Sequence, residues 1–191
     1  LTRERIGAAA ESRFLTDGYA ATTVAMVAAD AGVAVDTVYK AFVGKAGLVR
    51  AIWQRALEGQ GPVPAEQRSD ALQGSESDPR ALLAGWGALT AEIAPRAAPI
   101  LLLIRDAAAT DVEVLALRAE VDAGRMRRMM ANARRLHARG HLRPGMTVAQ
   151  AADVLWTFTS AELYELLVIR RRWSPARYGR FVADAMAGAL L

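Results

Sequence analysis

The tightest constraint on this chain is the stretch TTVAMVAADAGVAVDTVYKAFVGK at residues 22–45. Val24, Val27 and Ala28 repeat at i, i+3 and i+4, the apolar face of a short helix. Thr22 or Thr23 can cap its start, because a hydroxyl oxygen accepts from the free amides of a first helical turn. Gly32 stops it, since glycine takes a left-handed backbone conformation at little cost. Val33 then plugs the corner, and a second helix follows over 35–42. Two helices joined through a short glycine turn make a helix-turn-helix, whose second helix can lie in a DNA major groove.

The same spacing also suits a tight helical hairpin inside an ordinary all-α core. The second helix tips the balance. Val35 and Asp36 open it, and Thr37, Tyr39, Lys40 and Lys45 offer hydroxyls, a phenol and amines within a few turns. Such groups bind phosphate oxygens, and Thr37 can also touch a thymine methyl. With the capping threonines Thr22 and Thr23, these form the candidate DNA-binding set.

The run GYAATTVAMVAADAGVAVDTVYKAFVGKAGLVRAIW resembles the N-terminal DNA-binding region of the TetR (tetracycline repressor-like) family of bacterial transcription regulators. The matching pieces are Gly18 and Tyr19, Thr22 to Val24, Ala31 to Val33, Thr37 to Phe42, and Lys45 to Leu48. The resemblance is strong over about the first quarter of the chain; beyond it, only length and helical layout agree. There are three departures. Ala34 stands where the family often has a serine or threonine, leaving Asp36 as the alternative cap. Ala41 replaces a frequent histidine or tyrosine, and Ala25 a basic residue. They bear on the target sequence rather than on the motif.

Charge complicates a simple polyanion reading. The net charge is +4, yet residues 1–58 hold Arg3, Arg5, Arg13, Lys40, Lys45, Arg50 and Arg55 against Glu4, Glu11, Asp17, Asp30, Asp36 and Glu58. The head is nearly neutral, so phosphate binding there must rest on placement, hydroxyls and helix N-termini as well as charge. Cysteine is absent, which excludes disulfides, thiol catalysis and cysteine-bound metal. His137 and His141 lie four apart beside Gly140, the pattern of a solvated helix end more than of a metal site. No cofactor is expected, and no nucleophile–base pair or phosphate loop supports an enzyme. With no long apolar span and no signal peptide, a cytoplasmic location is expected.

The rest of the chain predicts an all-α fold of about nine helices: a three-helix DNA-binding head over 1–58, a flexible linker over 59–78 and a body over 79–191. A first helix covers 2–17. Asp78 and Pro79 start a helix ending near Pro95, and a short one follows over 99–109. A long helix then runs to Gly140, with Met126, Met129, Met130, Ala133 and Leu136 inward. Its opposite stripe of Arg125, Arg128, Asn132, Arg135 and Arg139 is expected in solvent. Thr147 caps a helix reaching about Arg172, apolar nearly all round, and Ser174 with Pro175 starts the last.

Those last two helices carry more apolar surface than a small body covers. Leu166, Leu167, Tyr178, Phe181, Val182 and Ala185 are therefore expected at a homodimer interface, as the resemblance also implies. Two-fold pairing would set two heads about 34–36 Å apart, on successive turns of an operator. The resemblance further implies a small-molecule pocket in the body. Candidates to line it are Trp86, Leu89, Ile93, Leu102, Met126, Met130, Trp156, Thr159 and Leu163, all equally suited to plain core. Arg105 and Glu162 interrupt apolar stretches, as an ion pair or as polar anchors for an effector. The reading is a palindrome-binding regulator, expected as a repressor, released by a largely apolar ligand. A constitutive DNA-binding protein and a helical interaction protein remain alternatives.

Overall fold

The computed structural model describes Thr2–Glu58 and Val63–Leu191. Every regular element among these residues is helical. They are α1 (Thr2–Asp17), α2 (Val24–Asp30), α3 (Val35–Phe42), α4 (Lys45–Glu58), α5 (Ala65–Ser75), α6 (Pro79–Ala107), α7 (Val112–Ala138), α8 (Val148–Phe158), α9 (Ala161–Tyr164) and α10 (Pro175–Leu190). α9 runs directly into a π-helical segment, Glu165–Arg170.

The chain divides into two compact units. One comprises the residues up to Leu57 together with Pro99–Glu120; the other comprises Glu58–Ala98 and Val121–Leu191. Residues 99–120, expected in the body, therefore group with the head.

In the N-terminal unit the core is Ile6, Ala10 and Phe14 of α1, Val27 and Ala28 of α2, Val38 of α3, and Leu48, Val49 and Ile52 of α4, all essentially without exposure. Thr23 is the α2 cap, its side chain accepting from the Met26 amide at 3.2 Å. Gly32 leaves the helix with φ +62°. Ala34 provides no side-chain cap for α3, and Asp36 supplies none in its place.

In the C-terminal unit, the segment expected as a flexible linker contains α5, while residues 59–62 of that linker lie outside the described residues. α5 sits on the arginine stripe of α7. Arg128 donates to both carboxylate oxygens of Asp70, at 3.2 and 3.1 Å, and to the Glu66 carbonyl at 2.8 Å. Arg135 donates to Asp70 and to the Gln73 side chain, and Arg139 to the Glu76 carbonyl. The expectation of a solvated stripe is thus corrected: Asn132 is buried, and Arg128 is mostly so. α5 has a polar sequence and a weakly apolar face, so its partner is a row of guanidinium groups rather than a hydrophobic groove.

Two further helix expectations change. α6 is one helix through Pro95 and Pro99, although each proline removes a helix amide and crowds the preceding turn. Ala94, Ala97, Ala98, Ile100 and Ile104 are buried on either side of the prolines, so packing along the axis opposes that penalty. By length and composition α6 is also apolar enough to cross a membrane. Leu82, Leu83 and Trp86 are buried within the protein all the same. The expected helix over 148–172 instead stops at Phe158, where Thr159 and Ser160 interrupt it, and Ser160 caps α9 through the Leu163 amide at 3.3 Å.

Candidate nucleic-acid interface

α3 is held by one face and open on the other. Val38 and Phe42 are buried, whereas Val35, Asp36, Tyr39 and Lys40 are exposed, with Tyr39 at 53%. The i, i+4 spacing of each pair explains both facts, because residues four apart share a helix face. Thr37 is half-buried between the faces. Thr23 is exposed beside them, and its capping oxygen leaves the O–H free to donate outward.

Thr22 does not join this surface. It is 1% exposed and donates its hydroxyl proton to the Gly18 carbonyl at 2.8 Å, closing the turn before α2. Sequence pattern could not separate it from Thr23, since both hydroxyls stand next to the helix start.

The basic residues of the head are mostly occupied. Arg3 donates to the Ala41 carbonyl and lies over the Phe42 ring, Arg5 donates to the Ala31 carbonyl, and Arg55 pairs with Glu11. Arg13 bridges Asp17 and Asp30, joining α1 to the end of α2. These contacts fix α3 against α1 and spend most of the head's charge internally. Lys40, exposed on α3, has no ion pair among the described residues.

Lys45 opens α4, and its ammonium lies 4.0 Å from the Tyr19 ring centroid. Tyr19 is nearly buried and donates its hydroxyl to Asp111 at 2.6 Å. Asp111 in turn caps α7, accepting from the amides of Glu113 and Val114 at 2.9 and 3.2 Å. Burial first, and this bond second, push the Tyr19 phenol upward. The Tyr19 bond is the main cause holding the Asp111 carboxyl below its usual range, and burial lowers Lys45 despite the nearby carboxylate. Arg50 adds a two-pronged pair with Glu120. Sequence reading missed this cluster, because its members lie 92 positions apart in Tyr19 and Asp111.

Tyr19→Phe is expected to destabilise the protein by about 1.5–3 kcal/mol, the usual worth of a hydrogen bond to a charged group. The carboxylate has a depressed pKa in the fold, so this stabilisation is present above the unfolded value, about 3.9, and disappears as pH falls through the folded one. Urea unfolding of both proteins from pH 7 downward should show the gap closing in acid.

The body candidates separate. Leu102 and Arg105 belong to the N-terminal unit, and Arg105 bonds its neighbour Asp106 at 2.8 Å. Trp86 is buried, Leu89, Ile93, Met126, Met130 and Leu163 are half-buried, and Glu162 is exposed rather than buried in an ion pair. Trp156 and Thr159 lie together against Arg125, which the sequence had placed in solvent. Among the interface candidates, Tyr178 and Val182 have no exposure and belong to the core of their own chain. Leu166 and Phe181 are exposed, at 51% and 36%, and Leu167 and Ala185 half-exposed. The buried pair fell on the same predicted stripe, which the packing of α10 against α8 divides.

Residues 6–52 match the family model described as bacterial regulatory proteins, tetR family. No curated protein matches the sequence. The fold of the whole chain is similar to solved structures of regulators. One is NalD, the secondary repressor of the MexAB-OprM multidrug efflux pump in Pseudomonas aeruginosa. It is 23% identical, with a TM-score of 0.77, over 100% of this chain and 96% of that one. Another is SmeT, the repressor of the Stenotrophomonas maltophilia efflux pump SmeDEF, at 22% identity and TM-score 0.73, over 100% and 90%. The fatty acid degradation regulator FadR from Bacillus halodurans reaches a TM-score of 0.79 at 16% identity, over 99% and 96%. At such identities the likeness is one of fold.

Proposed function

We propose, from the tetR-family match at residues 6–52 set in a fold similar to that of the solved repressor NalD, that this chain binds a palindromic DNA operator as a homodimer. In this reading it is a repressor that a small molecule releases. The observation that carries the reading is α3, anchored by Val38 and Phe42 and open along Val35, Asp36, Tyr39 and Lys40. Tyr39 and Lys40 supply donors for phosphates or base edges, with Thr37 and Thr23 beside them. Lys45 adds a cation at a helix N-terminus, where the free amides also favour phosphate.

An inverted repeat beside the gene is the natural probe, with binding followed by fluorescence anisotropy across a salt series. Lys40→Ala is expected to weaken binding to all sequences alike and to flatten the log–log salt slope by about 0.9, the share of one phosphate contact. Unchanged slopes in Lys40→Ala and Lys45→Ala, with an unchanged affinity in Tyr39→Phe, would sink the assignment of α3 to DNA.

The dimer reading is supported by Leu166, Ile169 and Phe181, large apolar side chains exposed on the π-helical segment and α10. Leu166→Asp or Phe181→Asp should raise the dimer dissociation constant by at least about tenfold, since burying an unpaired charge is costly. Sedimentation of an unmodified monomer at micromolar concentration contradicts it. SmeT was solved in a complex with triclosan, which supports an effector in the body here. If a metabolite and drug library yields no compound that releases DNA, the constitutive reading replaces the inducible one.

A further inference from the structure

Where α8 breaks, the body gathers three hydrogen-bonding side chains, and two of them have a buried donor with no acceptor among the described residues. Tyr178 of α10 has no exposure, and its hydroxyl makes no hydrogen bond among the described residues. The indole N–H of Trp156, near the end of α8, is likewise buried and unpaired. Arg125 of α7 stands over the Trp156 ring, 5.2 Å from its centroid, with its side chain 17% exposed.

Arg125 donates to the carbonyls of Trp156 and Thr159 at 3.5 and 3.2 Å, groups that α8 leaves open where it ends. The Asp122 carboxylate lies 3.8 Å away, beyond hydrogen-bond reach, and Glu162 acts on the guanidinium from an exposed position. The Tyr178 phenol also feels the Arg125 charge, although burial pushes its pKa up to about 12, so it is a donor at neutral pH.

Aromatic and thioether groups surround these donors. The Tyr164 ring meets Tyr178 edge-on at 5.4 Å, and the Met129 sulfur lies 3.9 Å from the Thr159 hydroxyl. The π-helical segment that follows α9 is of a kind often found at functional sites. A purely structural core pairs its buried donors or does without them, because an unpaired one is costly.

We propose that this cluster is where the body takes its effector, and that the effector is an aromatic molecule bearing a hydrogen-bond acceptor, best matched by a carboxylate. The acceptor meets Arg125, Tyr178 and the Trp156 N–H, and the aromatic part meets Trp156, Tyr164 and Met129. This rests on the reading that the body binds an effector, and it replaces a largely apolar ligand with a polar-headed one.

The test is calorimetric titration of the full chain with 1-naphthoate and with 1-ethylnaphthalene, which has a similar shape and no acceptor. The naphthoate should bind at least about tenfold more tightly, the worth of one good hydrogen bond. Tyr178→Phe should weaken it about tenfold without lowering the melting temperature, because that change removes an unpaired buried hydroxyl. A role confined to packing would not separate those two readouts. Arg125→Gln should weaken the naphthoate more than the hydrocarbon. Equal or tighter binding of 1-ethylnaphthalene overturns the proposal while leaving an apolar effector in place. Unchanged naphthoate affinity in Tyr178→Phe overturns it as well. Binding of neither probe also overturns it, and operator release across a compound library then judges the effector reading separately.

Discussion

Gly47→Ala is expected to destabilise the head by about 3 kcal/mol or more, the upper range for inserting volume into a packed site. A β-carbon at Gly47 would lie 1.5 Å from the Phe42 carbonyl oxygen and 2.7 Å from its carbonyl carbon. Both atoms are main chain at the end of α3, so no side chain can rotate aside. The turn between the helices has little slack either. Val43 is already left-handed at φ +53°, unusual for a β-branched residue, and Gly44 follows at φ +92°. Relief therefore requires α4 to move from α3, which would open the packing of Phe42 and Leu48, both buried. The urea midpoint should fall in Gly47→Ala, while Gly188→Ala, at an exposed helical glycine with open space for a β-carbon, should leave it unchanged. Wild-type stability in Gly47→Ala would mean that the α3–α4 joint is looser than its geometry implies.

The second large effect is expected where α6 crosses α10. A β-carbon at Gly87 would meet the Gly179 carbonyl oxygen at 2.4 Å and the Ala183 β-carbon at 2.7 Å. One at Gly179 would meet the Ala91 β-carbon and the Gly87 carbonyl oxygen, both at 2.8 Å. The two backbones touch, and each alanine forces the same pair of axes apart. Each single variant should lose about 2 kcal/mol, within the usual overpacking range. The double variant should lose clearly less than the sum, because the first methyl already opens the gap that the second needs. Thermal melting of the three variants checks this, and strict additivity would show that the clashes are relieved independently.

Local chemistry was legible in the residues themselves. Thr23, Gly32, Thr147 and Ser174 with Pro175 act at the helix ends where their capping and turn chemistry places them. Each needs only amides or dihedrals within a few positions. The all-α class and the helix-turn-helix follow from such signals repeated at the right spacing. The open face of α3 was legible too, since an i, i+4 pattern sorts its residues into two faces.

What only the tertiary structure decided is which surfaces meet. Thr22 and Thr23 are alike in sequence, but packing turns one to the Gly18 carbonyl and leaves the other exposed. The arginine stripe of α7 reads as solvated until α5, a polar helix, is laid across it. Pro95 reads as a helix stop and Pro99 as a new start until burial on both sides is known. Tyr19 and Asp111, like Arg125 and Tyr178, come together across long stretches of chain. Helix starts and stops depend on neighbours along the backbone, whereas ion pairs, unpaired buried donors and close backbone crossings depend on residues that only folding makes neighbours.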